Sequence, residues 1–197
     1  MKPRSPFKVI CMMVAACFLL ASCSRNSEPA KVGVAQKKDV WSNAEVTRES
    51  VKLVLDKASG ASVIAASQIK DIQVQGANNK TVTVDLKHES PDPDQLMKDA
   101  AATLISYSGI LLENKGIGTV EVCLYGNPEP ANGKNVTKET VCIAVNREDL
   151  QKGQNAFKIP VDDYALLFKH ASWYKIHPHL YKSLHDKDRL KTRAYLK

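Results

Sequence analysis

Aromatic side chains make up only 6% of this 197-residue chain, which argues mildly against a deep apolar ligand pocket. Cysteine is sparse too, with five in all, too few for a small scaffold held together by disulfides. Glycine and proline, nine each, do not reach collagen-like or low-complexity levels. Charged residues at 25% beside hydrophobic residues at 44% exclude wholesale disorder. The unbroken apolar run Val9–Ala21 has 13 residues, too few for a stable membrane-spanning helix, which needs about 20. The motifs of common catalytic sites are missing as well: Gly-x-Ser-x-Gly, His-Glu-x-x-His, a P-loop and Gly-x-Gly-x-x-Gly. Ser67-Gln-Ile-Lys70 matches Ser-x-x-Lys, but its Ser-Asp-Asn and Lys-Thr-Gly partners are absent, since Lys80-Thr81 runs on into Val82. The acid pairs Asp92/Asp94 and Asp162-Asp163 read as caps and turns. What remains suits one globular domain with appendages.

The first appendage is an address. Lys2, Arg4 and Lys8 stand without an acid before the apolar run, which ends in Leu20-Ala21-Ser22-Cys23. A basic head, a short apolar core and a small-residue exit are the parts of a secretory signal. Leu20–Cys23 resembles the lipobox of bacterial lipoproteins. The resemblance implies cleavage before Cys23, acylation of its thiol and usually of its new amine, and a lipid bilayer as the first partner. Acyl chains contribute roughly 0.8 kcal/mol per buried CH₂, so two or three anchor a protein firmly. Ser24 after the Cys, rather than Asp, favours the periplasmic face of the outer membrane by analogy with enterobacterial sorting. Of the 28 Lys and Arg, three leave with the signal, so the mature chain has 25 basic against 21 acidic residues. The resemblance covers about 23 residues and does not reach the mature domain.

Four segments are expected: a signal over 1–22, lipidated Cys23 and a flexible tether to 40, an α+β domain over 41–160, and a basic, aromatic, helical segment over 161–197. Within Asn43–Ala58, Val51, Val54, Leu55 and Ala58 share a helical face, although Ser50–Leu55 also reads as a strand. Ile72 and Val74 alternate with Gln73 and Gln75. Val82, Val84 and Leu86 alternate with Thr83, Asp85 and Lys87. Gly76-Ala77-Asn78-Asn79 between the two runs predicts a hairpin. Asp92 as cap, Pro93 at the first position and Gln95 as capping-box partner open a helix. Its stripe is Met97, Ala100 or Ala101, Leu104, Ser108 and Leu111, and Gly116 ends it. Gly109 inside that helix costs up to ~1 kcal/mol relative to Ala, tolerable where a close contact needs it. Two further strands alternate around Val120–Leu124 and Val141–Val145, joined by a long mobile loop, Gly126–Glu139. The expected fold is therefore α+β: a four-stranded antiparallel sheet in the order (α)ββαββ, with helices on one face.

Cys123 and Cys142 both point away from the apolar faces of their strands. On neighbouring antiparallel strands they lie on the same side of the sheet, so a cross-strand disulfide is expected. Lys169–Lys197 carries eight basic and two acidic residues, interleaved with Trp173, Tyr174, Tyr181 and Tyr195. It is either a solvated helix pair or a contact for an anionic surface, with no nucleic acid expected because no recognition motif is present. His177-Pro178-His179, with His185 and Asp186, offers metal-ligand types; Pro178 forbids a helical i,i+4 clamp, although an extended His-x-His can chelate, and no metal or cofactor is assigned. The reading is a non-catalytic envelope lipoprotein, a binding or assembly module with an envelope protein partner. Its rivals are a periplasmic metal-assisted hydrolase using His177, His179 and His185, and an inhibitor or immunity lipoprotein.

Overall fold

The computed structural model describes residues 40–58, 60, 63–128, 137–151, 160 and 162–190. Cys23, the signal, the tether up to residue 39, the loop residues 129–136 and the last seven residues lie outside these. Helix α1 is Arg48–Leu55. It starts where Thr47 and Ser50 form a reciprocal capping box, which satisfies amide groups that have no intrahelical partner. Strands β1 (Ile69–Gln75) and β2 (Lys80–Lys87) form the expected hairpin. Its turn places Gly76 at φ 92° and Asn79 at φ 52°, left-handed conformations that these two residue types tolerate best. Helix α2 is Pro93–Leu111, capped by Asp92, whose side chain accepts from the Asp94 amide. The Gln95 side chain donates to Asp99. Strands β3 (Ile117–Gly126) and β4 (Lys138–Asn146) follow, then short helices α3 (Arg147–Gln151) and α4 (Tyr164–His170), strand β5 (Trp173–Ile176) and helix α5 (Pro178–Ser183).

The fold class is α+β, but the sheet corrects the expectation in two respects. It has five strands, ordered β1-β2-β3-β4-β5, and it is mixed, because β2 and β3 run parallel. The physical reason is the length of α2. Its 19 residues rise about 28 Å, which matches the roughly 27 Å of the eight-residue β2. The helix thus carries the chain back to where β2 began, and β3 must run alongside it in the same direction. The alternating pattern gave no warning, since it reports only that one face is buried. The fifth strand comes from the carboxy-terminal segment expected to be helical: Tyr174 and Ile176 pair opposite Ile143 and Val141 on β4.

Register aligns the buried side chains in rows across the sheet. Ile72, Val84, Val122, Ile143 and Tyr174 form one, and Ile69, Leu86, Leu124, Val141 and Ile176 another. Helices cover this face. Met97, Ala100, Ala101, Leu104, Ser108 and Leu111 of α2 are buried, as the stripe predicted. Phe168 of α4 is fully buried, edge-on to Tyr174 with ring centroids 5.3 Å apart. The segment before β1 is tied to α2 through both polar atoms of Ile64. Its amide donates to Thr103 Oγ1 at 2.9 Å and its carbonyl accepts from Tyr107 at 2.9 Å. Asn114 likewise donates to the Trp41 and Ala44 carbonyls at 2.7 and 2.9 Å, which ties the segment before α1 to the end of α2. A Cβ at Gly109 would meet nothing within 4 Å, so no close contact requires the glycine there.

Candidate functional site

The second face of the sheet is where the polar halves of the strands converge. One row crosses all five strands: Asp71, Asp85, Cys123, Cys142 and Lys175. Beside it runs Gln73, Thr83, Glu121, Ala144 and Trp173. Cys123, Cys142, Ala144, Tyr125 and Trp173 take no part in the apolar core, which lies on the helix side. The smaller side chains sit low among longer neighbours. Cys123, Cys142 and Ala144 are buried, while Glu121, Tyr125 and Lys175 are partly exposed and Trp173 is 37% exposed.

Cys123 and Cys142 form the expected disulfide, directly opposite one another with Cα atoms 4.1 Å apart. This is the narrow type of antiparallel pair, in which side chains approach most closely. On one side of the bond stand carboxylates. Asp85 faces Asp71 across β1 and β2. Burial raises the Asp85 pKa, and the charges of Asp71 and Glu139 push it further while Lys70 opposes them. Glu121 is also raised, by burial first and then by Glu139 and Asp85, against a hydrogen bond from Thr83 that lowers it. That bond, Thr83 Oγ1 to Glu121 Oε2, measures 3.1 Å. The other oxygen, Oε1, lies 3.3 Å from Cys123 Sγ. A disulfide sulfur has no proton, so this contact is a hydrogen bond only when Glu121 carries one. On the other side, Lys175 pairs with Glu139 at 2.6 Å. Lys70, at the β1 bulge, places its ammonium 4.0 Å above the Tyr125 ring, and Arg48 of α1 meets Asp71 at 3.0 Å. The face therefore carries a cluster of acids on one side of a buried disulfide and cations at its margins.

A second feature is a cleft of about 470 Å³ at the ends of β2 and β3, lined by His88, Glu89, Pro93, Leu96, His179 and Ser183 among others. His88 Nε2 lies 2.7 Å from Asp99 Oδ2, and Gln95 donates to Asp99 Oδ1 at 2.7 Å. The pair fixes the imidazole, but the nearby serines are engaged elsewhere. Ser90 accepts from the Asp92 amide and Ser183 donates to the Leu180 carbonyl. No sequence signal marked His88 and Asp99, because their eleven-residue separation becomes proximity only once α2 folds back over the sheet.

The other residues singled out in the sequence serve structure. Lys70 lies over Tyr125 and Ser67 sits exposed in the turn Ala66–Gln68. His177 caps α5 and stacks on His179, with ring centroids 5.7 Å apart. His185 pairs with Asp94, which also accepts from the Tyr164 hydroxyl. Asp163 caps α4 and takes both bonds of Arg189, at 2.8 and 2.9 Å; Asp186 receives the other arm of the same guanidinium. Part of the carboxy-terminal positive charge is thus paired with acids at the surface of the fold. Among the described residues no helix is long and apolar enough to cross a membrane. Comparison with family models, curated proteins and solved structures finds no match to this chain.

Proposed function

We propose that the protein is a lipid-anchored envelope module that binds a protein partner and catalyses no reaction. Acylated Cys23 holds it at the periplasmic face of the outer membrane, and the second face of the sheet meets the partner. The observation that carries the binding surface is the row structure itself, over which no described helix packs: charged side chains of both signs and a 37% exposed Trp173 on a face that takes no part in the core. Interfaces favour such an arrangement, with an aromatic anchor among charges that set register and exclude wrong partners. Burial of the small residues beneath makes the face rigid, so little ordering entropy is lost on docking. The anchor rests on Leu20-Ala21-Ser22-Cys23.

The test is crosslinking in the native envelope with full-length protein, comparing wild type with Trp173→Ala, Lys175→Glu and a helix-side control, Lys52→Glu. The face variants lose a crosslinked partner that the control retains. Capture of the same partner by all three refutes the surface. Mass spectrometry shows acyl chains on Cys23; an unmodified Cys23 in membrane-extracted protein refutes the anchor.

A further inference from the structure

We propose that the second face carries a zinc site that exists only in the reduced protein, built from the thiolates of Cys123 and Cys142 and the carboxylate of Glu121. These three donors lie within 4.8 Å of one another, on adjacent strands and one face. In a tetrahedral zinc site, Zn–S of ~2.3 Å and Zn–O of about 2.1 Å place a carboxylate oxygen roughly 3.6 Å from each sulfur and the two sulfurs roughly 3.8 Å apart. Glu121 Oε1 already stands 3.3 Å from Cys123 Sγ. The sulfurs reach their separation by side-chain rotation, since the Cβ atoms of a disulfide-bonded pair stand about 3.5–4.5 Å apart and the released thiolates can turn away from each other. The carboxylate is also held. Thr83 donates to Oε2 and leaves Oε1 aimed at the sulfur, the kind of outer support that orients metal ligands. Two thiolates and one carboxylate are a donor set for zinc rather than for calcium or magnesium, which take oxygen alone.

The disulfide and the metal exclude each other. A dithiol reductant gives two electrons and two protons to the Cys123–Cys142 bond and closes its own disulfide. The S–S bond breaks to two thiols, and zinc displaces both thiol protons as it binds. The same two residues are therefore a covalent staple under oxidising conditions and a metal clip under reducing ones.

The experiment uses the full-length chain in detergent, reduced with dithiothreitol and freed of it, then titrated with Co²⁺ and with Zn²⁺. The expected result is one Co²⁺ per chain with a thiolate charge-transfer band, removed by one equivalent of Zn²⁺ and absent from the oxidised protein. Cys142→Ser abolishes the band. Glu121→Gln weakens zinc binding at least about 10-fold, as even outer-shell losses do, whereas Glu139→Gln leaves it unchanged. A reduced chain without the band overturns the proposal. So does a band that survives Cys142→Ser, an affinity indifferent to Glu121→Gln, as a two-coordinate thiolate site would give, or loss of the native circular-dichroism spectrum on reduction.

Discussion

Truncation after Phe168 separates a basic tail from a structural one. The deletion removes β5, α5 and the turn that follows, with five buried side chains: Tyr174, Ile176, Leu180, Leu184 and Leu190. Burying such a side chain contributes about 1.5–3 kcal/mol, so the loss is roughly 8–15 kcal/mol. The whole stability of a domain is about 5–15 kcal/mol. Phe168, fully buried against Tyr174, would face water, and β4 would become a bare edge. The expected outcome is a chain that does not fold. Far-ultraviolet circular dichroism and limited proteolysis at 25 °C are the readouts, with a Lys169→Glu/Lys182→Glu variant as the charge-only control. A truncated chain that melts cooperatively within a few degrees of the parent refutes the reasoning and restores the segment as an appendage.

Reducing the disulfide in the presence of a chelator lowers stability by about 3 kcal/mol, from a closed loop of some 20 residues, and thermal melting with free-thiol titration checks it. Gly109→Ala raises stability by about 0.5–1 kcal/mol, because the site is helical and its Cβ meets nothing within 4 Å; urea denaturation reads it. The carboxy-terminal latch depends on pH from both ends. Asp94 would be raised by its burial, but hydrogen bonds from Tyr164 and His185 leave its pKa below the usual 3.8, so its contribution is present above that value and fades as pH falls through the lowered one. The hydrogen bond with Asp94 raises His185 above 6.5, so that contribution is complete below 6.5 and fades as pH rises through the raised value. His185→Asn removes the alkaline fade and lessens the acid one, because Asp94 loses the imidazolium charge that helps to lower its pKa, measured as melting temperature against pH.

The helices and strands were legible where one face is buried and the period is clean. Val82, Val84 and Leu86 or Met97, Leu104 and Leu111 have no other reading. Direction was not legible, because alternation along β2 and β3 is the same whether they run parallel or antiparallel. It was fixed by how far α2 reaches. Strand β5 was hidden for a different reason. Trp173–Ile176 is four residues long, lies between basic and histidine-rich stretches, and becomes a strand only because β4 offers an edge. The cysteine pair was readable, since parity within each strand decides the face. The same parity put Asp85 and Glu121 on the polar faces of their strands, Glu121 with Cys123; that they gather with Asp71 beside the bond was not readable, because the three are far apart along the chain.

The parallel seam between β2 and β3 has a consequence of its own. On either side of it stands a hairpin whose partners are neighbours in sequence, β1 with β2 and β3 with β4, and each can zip locally. Joining them requires the α2 crossover first. Assembly is therefore expected to proceed as two quick halves and one slower marriage across the seam, with α2 as its spine.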